Sequence, residues 1–163
     1  MLEFRRSLAA VIECYARPED LDAVSVIEAF PMRLAPDELL FVTDSLNKAA
    51  ALVAAERALA ADPGALVFDV SDGYTIWSVL GDWEEVFLRL CAVPVSEPSA
   101  LIQALFAHAP AKLVIRPPDE LLVVVSSVLS HHVRERILDS CRDLSPTELE
   151  PAPVAVQLRE TAA

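Results

Sequence analysis

Apolar and polar positions change spacing several times along this chain, and each change marks an element. Phe4, Leu8, Val11, Ile12 and Tyr15 recur at helical intervals, which predicts an amphipathic helix over 2–16, stopped by Pro18. Val24 to Leu34 reads as extended, because Pro31 forbids a helix interior. Pro36-Asp37-Glu38 is a turn into the apolar strand Leu39-Leu40-Phe41-Val42. An alanine-rich helix is expected over 45–61, with Leu46, Ala49, Ala50 and Val53 on one stripe and Asp62-Pro63-Gly64 as its stop. Leu66–Val70 and Tyr74–Leu80 read as strands of a hairpin turning at Asp72-Gly73, a dipeptide suited to positive φ angles. Asp82, with Glu85 three residues on, reads as a capping box for a helix whose apolar face is Trp83, Val86, Phe87, Leu90 and Cys91. A second short helix is predicted after Pro98 from Leu101, Ile102, Leu105 and Phe106. Lys112–Arg116 and Leu121–Val125 are strands around Pro117-Pro118. Ser130 is expected to cap a last helix through Val133, Ile137, Leu138 and Cys141.

One segment recurs. Pro36-Asp37-Glu38-Leu39-Leu40-Phe41-Val42 returns as Pro118-Asp119-Glu120-Leu121-Leu122-Val123-Val124, and each copy is read as leading into a capped helix. Two related β-turn-β-α units follow, and helices on one face of a largely antiparallel sheet bury both apolar surfaces, which is the α+β solution. Residues 1–143 are expected to form a single domain. Residues 144–163, with Pro146, Pro151 and Pro153, read as an extended or disordered tail. In that tail Val154, Val156 and Leu158 alternate with other residues, a pattern that could also add a strand to a sheet edge.

Composition narrows the partners. The net charge is −12, from 13 Lys plus Arg against 25 Asp plus Glu, so a phosphate backbone or an anionic membrane is repelled. The chain has only 3 Gly, which disfavours glycine-built nucleotide loops. No apolar run is long enough to cross a bilayer, and the three cysteines, Cys14, Cys91 and Cys141, lack Cys-x-x-Cys spacing. A cytoplasmic protein with reduced thiols is the expectation.

The sequence holds few side chains arranged for chemistry. His131 and His132 are adjacent, so on a helix they diverge, and His108 precedes Pro110 near an expected helix end; no metal site is predicted. Asp72, Asp82, Glu84 and Glu85 have structural roles in the turn, the cap and the solvated face. Asp69 has none. It stands between Phe68 and Val70 and, with Tyr74, Trp77 and Trp83 as stacking surface, is the ligand candidate; the same aromatics would equally fill a core. Ser71 lacks the Gly-x-Ser-x-Gly setting of a nucleophile, and no catalytic residue is assigned.

Residues 30–140 resemble the gamma subunit of heterotetrameric sarcosine oxidase, within the wider folate-binding aminomethyltransferase group that includes the glycine-cleavage T-protein. The resemblance is carried by Pro36-Asp37-Glu38-Leu39-Leu40, Phe68-Asp69-Val70-Ser71, Leu80-Gly81-Asp82 and Leu90-Cys91-Ala92-Val93-Pro94. It extends to the closing strand pair and helix from Leu113 to Leu138. This chain departs from the family at Leu40, where a bulky aromatic is usual nearby, and at Ala92-Val93, which interrupts a Cys-Pro step. The family's early glycine-rich stretch is missing. The resemblance implies a non-catalytic accessory subunit or interaction module of an oxidase-type complex. Such a chain has no cofactor, is not an enzyme on its own, and has a protein partner or a second copy of itself as its ligand. The alternatives are a folate-type small-molecule binder or minor enzyme using Asp69 and the neighbouring aromatics, and an acidic scaffold working through its proline-rich tail.

Overall fold

The computed structural model describes residues 1–94, 101–116 and 118–154. Pro98, Pro117, Val156 and Leu158, which enter the sequence reading, lie outside the described residues. The fold is α+β, with ten strands among the described residues in a largely antiparallel sheet and helices packed on it. The chain divides into two compact units, one of residues 8–71 with Pro153 and Val154, the other of residues 1–7 and 72–152.

The 8–71 unit runs β1 (Leu2–Tyr15), of which residues 8–15 belong here, α1 (Pro18–Ala23), β2 (Ala29–Ala35), β3 (Glu38–Asp44), α2 (Lys48–Ala58) and β4 (Leu66–Asp69). Its strand order is β4-β1-β3-β2, all antiparallel. That succession and order make the split βαβ arrangement of ferredoxin-like units. Ile12, Cys14, Leu39 and Phe41 point to the helix side and close a core with Leu21 of α1 and with Ala51, Ala55 and Leu59.

The other unit runs β5 (Tyr74–Gly81), α3 (Trp83–Leu90), β6 (Leu101–Phe106), β7 (Ala109–Arg116), β8 (Glu120–Ser126), α4 (Ser130–Ser140) and β9 (Thr147–Glu148), and β10 (Ala152–Pro153) follows. Its strand order is β1-β5-β8-β7-β6. Here the first residues of β1 fill the place that β4 holds in the 8–71 unit, with Leu2 opposite Gly81 and Ser7 opposite Ile76. Its core joins Leu2, Phe4, Trp77, Val79 and Phe87 to Val133 and Ile137 of α4.

The repeat read from sequence is real in three dimensions. β2-β3 and β7-β8 are matching hairpins, and each passes through a short 3₁₀ turn, Ser45–Asn47 or Ser127–Leu129, into α2 or α4. β3 and β8 each bury five consecutive residues between two half-buried ends. A strand so buried is covered on both faces. The helices repeat too: Ala51, Ala55 and Leu59 correspond to Val133, Ile137 and Cys141 at the same offset as Pro36 and Pro118, and all six are buried.

Several expectations are corrected. Where a helix over 2–16 was expected, Leu2–Tyr15 form the long strand β1, because the strand serves two cores in turn. Leu2 and Phe4 face one core, Ile12 and Cys14 the other, and Ala10-Val11-Ile12 are buried in succession, which erases the alternation. Residues 101–106 are likewise a strand, β6, paired throughout with β7. The turn between them has Ala107 at φ 52° and His108 at φ 66°, the two positive angles of a tight hairpin, without glycine or asparagine. His108 therefore sits in a hairpin turn rather than near a helix end. β4 and β5 do not form a hairpin: β4 pairs with residues 12–15 of β1 and β5 with residues 2–7, while Ser71–Gly73 is a 3₁₀ turn. Asp82 stands at the N-cap of α3 but makes no side-chain cap hydrogen bond; its carboxylate lies 2.7 Å from the backbone nitrogen of Met1. On α2 the buried stripe is Ala51 and Ala55; Leu46 is 88% exposed and Val53 is exposed as well. After α4, β9 runs parallel to β1, with Thr147 opposite Glu3 and Glu148 opposite Phe4. Beyond β10, which also pairs with β1, the Val154 N–H donates to the Leu8 carbonyl at 3.4 Å.

Candidate functional site

Asp69 closes β4, opposite Ile12. Its Oδ1 accepts from the Ser71 hydroxyl at 2.6 Å and from the Ser71 N–H at 3.1 Å, an Asx turn that ends the strand. Its Oδ2 lies 2.9 Å from Nζ of Lys48, in the first turn of α2. Ser71 Oγ in turn accepts the Val11 N–H at 3.0 Å. Val11 is buried, so this hydroxyl satisfies a strand donor at the point where the β4 ladder ends.

The electrostatics follow from those contacts. The Ser71 hydroxyl, the Lys48 ammonium and the Ser71 N–H all favour the ionised form and pull Asp69 down to about 2. A carboxylate that acidic is a weak base at neutral pH, whereas activating a serine calls for a base with a pKa near the working pH. The Lys48–Asp69–Ser71–Val11 chain fits a latch that fastens β4 and α2 to β1.

The latch carries a testable pH dependence. The folded-state pKa lies below the usual 3.8, so the latch contributes in full above about pH 4 and its contribution fades as the pH falls toward 2. Ser71→Ala leaves the buried Val11 N–H without its acceptor, at an expected cost of about 1–3 kcal/mol at pH 7. Urea midpoints at pH 7, 4 and 2.5 check both statements, with a gap between wild type and variant that narrows at the acid end.

The aromatic candidates lie in the other unit. Trp77 and Trp83 are 4% and 6% exposed and belong to its core. The Trp77 ring meets Phe4 at a centroid distance of 5.8 Å. Tyr74 is half-buried, and Lys112 Nζ stands 4.9 Å above its ring, a cation–π contact. Asp69 thus belongs to the 8–71 unit, and Tyr74, Trp77 and Trp83 to the 72–152 unit.

His132 Nε2 lies 2.7 Å from the Ala107 carbonyl, tying α4 to the β6-β7 turn. Among the described residues no three His, Cys, Asp or Glu side chains gather as metal ligands. Cys14, Cys91 and Cys141 are buried free thiols, and burial pushes Cys14 up to about 11. No helix among the described residues is long and apolar enough to cross a membrane. The part of Lys48 in the latch had no sequence signal, because its contact with Asp69 spans two elements. Exposed apolar side chains were missed as well. Leu46 and Val128, 88% and 87% exposed, occupy equivalent places in the two 3₁₀ turns, and Leu66 and Phe68 stand exposed on β4.

No protein-family model and no curated protein matches the sequence, but the fold is similar to that of chains in two solved structures. A chain of the heterotetrameric sarcosine oxidase from Corynebacterium sp. U-96 superposes with a TM-score of 0.75 at 16% identity, over 91% of this chain and 87% of that one. The glycine cleavage system aminomethyltransferase T from Bartonella henselae superposes with a TM-score of 0.65 at 13% identity, over 91% of this chain and 47% of that one. This chain therefore spans about half the length of that aminomethyltransferase. At these identities the likeness defines the fold.

Proposed function

We propose that this chain is a non-catalytic accessory subunit of a cytoplasmic oxidase-type complex, a T-protein-like fold that binds protein instead of turning over a substrate. The observation that carries the reading is the extent of the likeness to a chain of a heterotetrameric oxidase, which takes in 91% of this chain and 87% of that one. Two further features support it. Trp77 and Trp83 are taken up in a core, and Asp69 is taken up in a latch, so each has a structural role. The buried free thiols agree with a reducing compartment.

The test is purification of the tagged chain from its native host at its natural level. The expected result is elution far above 17.7 kDa, with stoichiometric partner chains and flavin absorbance belonging to them. Elution as a bare monomer would overturn the proposal. So would saturable quenching of tryptophan emission by a reduced folate that is lost in Asp69→Ala, which would replace it with the small-molecule reading.

A further inference from the structure

We infer that the outer edge of β4 is a docking site for an extended, basic strand of another protein. The inference rests on the interaction reading above and gives the partner its chemistry.

β4 is an edge strand of the 8–71 unit: among the described residues it pairs with β1 alone. The Val70 N–H donates to the Val11 carbonyl, which sets the phase of the ladder. By the alternation of antiparallel pairs, Leu66 and Phe68 direct their backbone groups toward β1, and Val67 and Asp69 direct theirs outward. Natural edges are normally blunted by proline, by bulges or by lysine. The opposite edge strand of the same unit, β2, carries Pro31 and a break in register between Arg33 and Ala35. β4 has neither proline nor bulge and is limited only by its four-residue length and the charge of Asp69 at its end. In the 72–152 unit, the strand that fills the same place, residues 2–7, has its outer edge covered by β9, and the Leu149 N–H reaches the Phe4 carbonyl at 2.8 Å. The fold therefore contains one such edge filled by an extended segment and one that is open among the described residues.

The side chains say what would fill it. Leu66 and Phe68 share one face of the strand and are 53% and 46% exposed. The Phe68 ring is braced edge-on by Tyr15 at 6.4 Å, so it is held in place before any partner arrives. Directly across the ladder from Phe68, on the same face, stands Glu13, half-buried and without an ion pair among the described residues. An incoming strand that carries apolar residues and a lysine or arginine on one and the same face would cover Leu66 and Phe68 and neutralise Glu13 from that side. A second copy fits poorly, since each chain carries −12 and pairing β4 with itself would bring the Glu13 and Asp69 carboxylates of both copies together.

The experiment titrates the ¹⁵N-labelled full chain with a capped heptapeptide Val-Thr-Lys-Thr-Val-Thr-Lys, whose valines and lysines share one face of an extended strand, with a control peptide carrying glutamate in place of each lysine. Saturable amide shifts centred on Val67 and Asp69 are expected. Binding should weaken about tenfold in Phe68→Lys, which places a like charge on the edge, and about threefold in Glu13→Gln. Both positions are at least partly solvent-exposed, and unchanged urea midpoints verify that the variants fold. Absence of saturable shifts on β4, undiminished binding by Phe68→Lys, or equal binding of the glutamate peptide overturns the inference. A concentration-dependent dimer abolished by Phe68→Lys also overturns it, in favour of a second copy. If Phe68→Lys keeps its partners in the complex purified from the host, the docking inference falls and the subunit reading stands; if the wild-type chain has no partners, the subunit reading falls.

Discussion

Phe4→Ala is expected to destabilise the protein by about 3–5 kcal/mol, the cost of removing a large side chain from a closed core. Phe4 is 0% exposed and stands beside Trp77 in the core of the 72–152 unit. It reaches that core from the first residues of the chain, through the pairing of β1 with β5. The loss therefore has two parts, the lost burial of a phenyl ring and a weaker hold on the strand that carries it. Urea denaturation followed by tryptophan emission measures both at once. The midpoint should fall, and the native emission should shift to the red as water reaches Trp77. Phe68→Ala is the control, because that ring is 46% exposed and its removal should cost far less. Equal losses at the two positions would contradict the burial described for β1.

Gly81→Ala is expected to be comparably damaging for a different reason. Gly81 has a φ of +73°, where a side chain costs about 1–2 kcal/mol. A Cβ built there would also lie 2.1 Å from the Met1 carbonyl oxygen, a backbone atom that no rotamer change can move aside. The first residues of β1 must shift, and Leu2, opposite Gly81, is fully buried in the core. Amide exchange should quicken at Leu2 and Phe4 and stay unchanged along β2 and β3. Gly73→Ala is the matched comparison: a Cβ there meets nothing within 4 Å, so that variant should be close to wild type.

These two sites also mark where sequence reading succeeds and where it stops. The β2-β3-α2 and β7-β8-α4 repeat was legible because each copy carries its own turn and its own apolar run, all of it local. α3 was legible because Trp83, Val86, Phe87 and Leu90 form one buried stripe and the opposite face is charged. β1 was not, since its inward positions change core partway along, and the residues near the change, Arg6, Ser7 and Leu8, break the two-residue rhythm. α2 was recognised as a helix but with the wrong face inward, because a helix built mostly of alanine has two sides of nearly equal hydrophobicity. The two turns misled in opposite directions. Asp72-Gly73 has hairpin chemistry but serves as a 3₁₀ corner, whereas Ala107-His108 lacks that chemistry and makes the hairpin, held by the Leu90 carbonyl and His132. Of the candidate site, the isolation of Asp69 was visible in sequence, but Lys48, Val11 and Glu13 meet it or its strand only through tertiary pairing.

The division of β1 between two cores bears on how the molecule is made. During synthesis residues 8–71 emerge with β1 to β4 in hand and only Pro153 and Val154 still to come, so this half can condense early. Residues 1–7 must wait, with Leu2 and Phe4 in water, until β5 arrives to receive them. Closure of the other half is thus a late, non-local event, the slow kind of step in which a nascent chain is most open to wrong pairings. Severing the polypeptide between Ser71 and Asp72 would yield no self-sufficient fragment for that half, only a sheet missing the ribbon that joins β5 to β9.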